Sequence, residues 1–121
     1  MLIKGVVQRG ENRGKRLGFP TINFPLEQKI PEGIYISQIT IDNKIYNALT
    51  FIGTAKTFGE EKFQAETYIL DFDEDVYGKQ VEISLLKKIR DNQKFSSEEA
   101  LIKQMDTDKK TAEEYFSNLR G

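Results

Sequence analysis

Apolar and polar residues alternate along the first two thirds of the chain and recur at helical spacing in the last third. Residues 2–9 form a short apolar-rich stretch, which Gly10, Gly14 and Gly18 then interrupt. Pro20 opens an extended segment in which Thr21 and Asn23 share one side. From Gly33 to Ile41 the isoleucines at 34, 36, 39 and 41 alternate with polar neighbours. Asp42-Asn43 supplies a two-residue turn, and Lys44 to Gly53 returns with Ile45, Ala48, Leu49, Phe51 and Ile52, which predicts a hairpin. Lys62 to Phe72, rich in β-branched and aromatic residues, is a third long strand. Asp73-Glu74-Asp75 is a polar loop closed by Tyr77-Gly78, and Lys79 to Lys88 alternates again. Strands in succession without helices between them imply an antiparallel sheet. Five or six strands around one core close into a small barrel, which removes exposed edges.

After Phe95 the period changes. Ser96-Ser97-Glu98-Glu99 carries the capping-box pattern, and Ala100, Leu101 and Met105 follow at helical spacing. Asp108 is placed to cap a second helix with Ala112, Tyr115, Phe116 and Leu119 on one face. The expected architecture is mainly β, a single domain over 1–121, with a barrel over 1–90 and two short α-helices over 91–121.

Composition narrows the chemistry. The 121 residues contain no His, no Cys and no Trp, so thiolate ligands, disulfides and imidazole bases are excluded. Acid–base work falls to carboxylates, Lys or Tyr. No run approaches the roughly 20 apolar residues of a membrane span, and Met1 to Gly5 lack a signal-peptide h-region, so a cytoplasmic protein without a membrane partner is expected. The net charge of −1 conceals a basic N-terminal segment, with Lys4, Arg9, Arg13, Lys15 and Arg16 against Glu11 alone. Such a segment suits an anionic ligand held at one place. Its glycines let backbone N–H groups approach phosphate, although the spacing fits neither the P-loop nor the dinucleotide fingerprint. The Thr21 hydroxyl and Asn23 amide oxygen are hard ligands suited to Mg²⁺ that shares phosphate oxygens.

Gly10-x3-Gly14-x3-Gly18-Phe-Pro20-Thr21-x-Asn23 resembles the signature of the riboflavin kinase family of bacteria and eukaryotes. The likeness continues in order through Pro31-Glu-Gly33-Ile-Tyr35, Ile52-Gly53-Thr54-x-x-Thr57-Phe58 and Glu66-Thr-Tyr68-Ile-Leu70-Asp71-Phe72. It then runs through Asp75-Val-Tyr77-Gly78, Ile89-Arg90-Asp91-x-x-Lys94-Phe95 and Leu101-x-x-Gln104-x3-Asp108. The chain is also similar to the C-terminal kinase domain of bifunctional bacterial FAD synthetases.

The resemblance implies a six-stranded antiparallel Greek-key β-barrel with C-terminal α-helices. It implies transfer of the ATP γ-phosphoryl group, with Mg²⁺, to the 5′-hydroxyl of riboflavin, giving FMN and ADP. Gly10, Gly14, Lys15, Gly18 and Pro20 would then wrap the nucleotide, together with Thr21 and Asn23. Thr21 would ligate the metal with Asn23 in support, Glu66 would be the catalytic base, and Arg90, Phe95 and Met105 would flank the flavin. The absence of His is consistent with a carboxylate in that role, while the choice of Glu66 among the acids comes from the resemblance. The acid and the glycine segment are expected to meet at the barrel mouth.

The chain departs from the family pattern at five positions. Phe51 replaces an Asn, Lys56 a Pro, Tyr68 a His, Asn92 a Glu and Arg9 a frequent His. These changes leave a second reading open, a catalytically weak flavin- or nucleotide-binding module of the same fold. A barrel for single-stranded nucleic acid is a third reading, but no aromatics interleave with the bases of 9–16, so no nucleic-acid partner is expected. Bacterial members usually carry an FMN adenylyltransferase domain as well. No such motif stands in these residues, and FAD synthesis is not expected of them.

Overall fold

The computed structural model describes residues 1–8, 21–57, 60–72 and 74–119, with backbone alone at 55–57 and 60–61. Six strands and one helix follow in order: β1 Leu2–Val6, β2 Thr21–Pro25, β3 Gly33–Ile41, β4 Lys44–Thr57, β5 Glu60–Ile69, β6 Gln80–Arg90 and α1 Glu98–Leu119. The strand order is β1-β6-β3-β4-β5-β2, and every neighbouring pair is antiparallel. The Asp42-Asn43 turn forms as its chemistry requires. Both residues take positive φ, 51° and 65°, the conformation that matches the twist of a two-residue hairpin.

The sheet nearly closes on itself. Just past β1, the Gln8 N–H donates to the Asn23 carbonyl of β2 at 2.8 Å. Beside that seam the Phe24 ring packs against Gly5, where a Cβ would fall 2.2 Å from Cδ2. The interior is built by strand alternation: Ile3, Phe24, Ile39, Ile52, Ala65 and Ile83 are each at most 1% exposed. Three buried hydroxyls cross it in a chain, with Ser37 Oγ 2.8 Å from Thr50 Oγ1 and Thr50 Oγ1 2.9 Å from Thr67 Oγ1. Each satisfies its neighbour, and among the described residues no buried side-chain polar atom lacks a partner.

The barrel also has an apolar outer wall. Ile36, Leu49 and Leu70 point outward and are buried by Ala112 and Phe116 of α1, with Ile34, Tyr68, Ile89 and Tyr115 around them. The helix begins where the capping residues predict, since Ser97 Oγ accepts the Ala100 N–H at 3.1 Å and Glu98 and Glu99 occupy the first turn. The expectation of two short helices is corrected to one of 22 residues. Asp108 caps nothing. It lies in the helix interior, where its carboxylate pairs with Arg90 of β6, a partner far away in sequence. No helix among the described residues is long and apolar enough to cross a membrane.

Candidate active site

One cavity of about 740 Å³ opens between the outer wall of the barrel and a cover formed by residues 91–97 and the first half of α1. The acid therefore lies on the flank of the barrel, against the expectation of a site at its mouth. The reason is the phase of the strands: Ala65 and Thr67 point into the core, which turns Glu66 and Tyr68 outward.

Sheet register builds the floor. Asn23 pairs with Glu66, Glu66 with Phe51, Phe51 with Ile34, and Ile34 with Arg90. These five residues form one lateral row across β2, β5, β4, β3 and β6. The neighbouring row runs Thr21, Tyr68, Leu49 and Ile36. An acid and a cation thus stand three strand spacings apart, about 14 Å along the wall, with apolar side chains between them. Leu101 and Met105, four apart on α1, face the cavity from the other side. Leu101, read from sequence equally well as helix-on-barrel core, is half-buried and lines the cavity.

At the acidic end Thr21 Oγ1 donates to Glu66 Oε1 at 2.8 Å. Both side chains are half-buried, and the bond holds one carboxylate oxygen while leaving the other able to accept a proton. The Thr21 hydroxyl keeps its lone pairs while its proton is committed to Glu66. Together with the Asn23 amide oxygen on the same face, it fits a hard cation that retains water or phosphate ligands. Among the described residues no cluster of three or more acidic side chains offers an alternative metal site.

At the cationic end Arg90 Nε lies 3.0 Å from Asp108 Oδ1 and Nη2 lies 2.8 Å from Oδ2, while Nη1 donates to the Asp91 carbonyl at 3.2 Å. The guanidinium carbon is 5.9 Å from the centre of the Phe95 ring, within cation–π range. Asn92 Nδ2 donates to the Ile52 carbonyl at 3.2 Å, fastening the connector to β4. A glutamate, which the family more often has there, has no N–H to make that bond.

Of the sequence-predicted residues, Thr21, Glu66, Arg90, Phe95 and Met105 line one cavity, with Asn23 beside Glu66. Gly10, Gly14, Lys15, Gly18 and Pro20 lie outside the described residues. Sequence reasoning gave Ile34 and Leu49 only as strand residues, Phe51 and Asn92 as departures from the family pattern and Asp108 as a helix cap, and none of them as a site residue. One signal was available for the floor: the isoleucines of β3 change phase between 36 and 39, so both faces of that strand are apolar.

The flavokinase family model, described as riboflavin kinase, matches residues 1–116. The chain is 39% identical over 117 residues to the trifunctional protein RibF/MnmA of Mycoplasmoides gallisepticum, covering 94% of the chain and 18% of that protein. It is 38% identical over 124 residues to the bifunctional riboflavin kinase/FMN adenylyltransferase of Bacillus subtilis, covering 98% and 39%. The chain thus spans about two fifths or less of the length of these relatives. A solved structure described as a macrolide-efflux protein from Streptococcus pneumoniae superposes with a TM-score of 0.83 at 33% identity, over 93% of this chain and 38% of that one. Riboflavin kinase from Trypanosoma brucei superposes with a TM-score of 0.65 at 23% identity, over 96% and 79%, a likeness of fold alone.

Proposed function

Since the chain belongs to the riboflavin kinase family, we propose that it transfers the γ-phosphoryl group of ATP to the 5′-hydroxyl of riboflavin, giving FMN and ADP. The observation that carries this reading is the lateral row on the outer wall. A flat apolar ring system lies against Ile34, Leu49 and Phe51 under Leu101 and Met105, with Arg90 and Phe95 at its far edge. The polyol tail then runs along the row to Glu66.

A primary hydroxyl is a poor nucleophile at neutral pH. Glu66 takes its proton through the carboxylate oxygen that Thr21 leaves open, as the hydroxyl oxygen attacks the γ-phosphorus and the bond to the β-phosphate oxygen breaks. General-base help of this kind contributes on the order of 10²–10⁴ in rate. The larger share comes from holding the two reactants end to end and stabilising the transferring group. Thr21 and Asn23 would hold Mg²⁺, which neutralises phosphate charge when bound. The segment with Gly10, Gly14, Lys15, Gly18 and Pro20 would take the nucleotide. An FMN adenylyltransferase domain, named in the Bacillus subtilis relative, is the proposed partner in a longer protein.

The test is to incubate the purified protein with riboflavin and Mg-ATP and to resolve flavins by chromatography. FMN formed in proportion to enzyme is the expected result. Riboflavin bound without any FMN would replace this reading with a binding module.

A further inference from the structure

Resting on the reading of the cavity as a riboflavin slot, we propose that Asp108 is a positioning residue that sets the height of that slot without touching the flavin. Asp108 is 5% exposed, and its carboxylate gathers three elements. It binds Nε and Nη2 of Arg90, the last residue of β6. Through Arg90 Nη1 it fixes the Asp91 carbonyl, where the connector begins. Its Oδ1 also accepts the Gln104 amide at 3.0 Å, one turn earlier on α1.

Leu101, Met105 and Asp108 follow at intervals of four and three, so they share one helix face, and that face is the roof of the cavity. The floor beneath it is Ile34, Leu49 and Phe51. A fork–fork pair constrains rotation as well as distance, so the Arg90–Asp108 contact fixes how far the roof stands from the floor. A planar ring system between two apolar surfaces is sensitive to that gap. The same contacts engage all three guanidinium nitrogens, so Arg90 serves the slot chiefly through Asp108 and through its cation–π contact with Phe95.

Replacing Asp108 by Asn keeps the shape but leaves the half-buried Arg90 without its counter-charge. Riboflavin binding is measured through the ligand's own fluorescence, FMN formation at saturating substrates is measured in parallel, and circular dichroism reports folding. In D108N the riboflavin Kd should rise about tenfold, with kcat and the KM for Mg-ATP changed by less than about threefold. Gln104→Leu, which removes one bond to Asp108 and keeps the ion pair, should raise Kd about threefold and carries the test if D108N does not fold. A folded variant with unaltered riboflavin affinity overturns the proposal, as does a loss in which both KM values and kcat deteriorate together. Wild-type protein that binds riboflavin but makes no FMN would refute the catalytic reading and leave the Kd comparison to decide the slot. Wild-type protein that binds no riboflavin would overturn both.

Discussion

Gly53 offers a sharp perturbation because its missing side chain is what lets the side chains of two cavity residues, Phe51 and Asn92, lie against its backbone. A Cβ there would lie 2.7 Å from Phe51 Cζ and 2.8 Å from Asn92 Nδ2, where ordinary contact begins at 3.4 Å. In Gly53→Ala the ring edge must therefore retreat by about 0.7 Å and the amide by about 0.6 Å. Both atoms are far ends of side chains, so the backbone has no reason to move. The Asn92 bond to the Ile52 carbonyl, already 3.2 Å long, is lost. That loss costs about 0.5–1.5 kcal/mol. Removing a glycine from a strand returns about 0.5–1 kcal/mol. The net change in stability is about 1 kcal/mol or less, so Tm moves by no more than about 5 °C. The slot feels the substitution more, because Phe51 forms its floor and Asn92 ties down its cover. Riboflavin affinity should fall about tenfold, roughly 1.4 kcal/mol. Thermal melts and fluorescence titration on the same preparation decide the matter. A melt lowered by more than about 10 °C would show that the neighbours cannot yield. Unchanged affinity would show that the Phe51–Asn92 arrangement does not shape the flavin site.

Thr50→Val should cost about 2 kcal/mol in urea denaturation, because the hydroxyls of Ser37 and Thr67 lose their shared partner inside the barrel. Thr50→Ser, which keeps the hydroxyl, should lose less, and equal losses would deny the hydroxyl chain its role. Thr21→Ala should raise the Mg²⁺ concentration needed for half-maximal turnover while the fold is retained, and an unaltered requirement would remove Thr21 as a ligand. The Lys88 ammonium, 2.6 Å from Asp91, holds that carboxyl below its ordinary pKa through their hydrogen bond and charge attraction. The pair therefore tethers the start of the connector above the usual carboxylate range and releases it as pH falls through the lowered value. Amide exchange at 91–97 should accelerate over that acid window in wild type and show no such step in Asp91→Asn, with little change in Tm because the pair is exposed.

Most of the barrel was legible because its strands are amphipathic and their turns carry diagnostic residues, Asp42-Asn43 above all. The helical end was half legible. Ser97 announced the start of α1, but Asp108 was misread as a cap because its partner, Arg90, is 18 positions away and is supplied by packing. The same limit applies to the site. Thr21 and Glu66 meet only because β2 pairs with β5 across 45 residues, which no local spacing encodes. Their roles were approached through residue type and family resemblance, whereas the floor came from the fold. Ile34, Leu49 and Phe51 are apolar on the outer face of a barrel, a placement that alternation alone assigns to polar residues.

The most direct test of the account is single-turnover FMN formation by Glu66→Gln, run beside riboflavin titration. The amide keeps the shape of the side chain and surrenders only its basicity. Turnover should fall at least about a hundredfold while riboflavin affinity stays within about threefold of wild type. FMN appearing at a near wild-type rate would contradict the assignment of Glu66 as the proton acceptor.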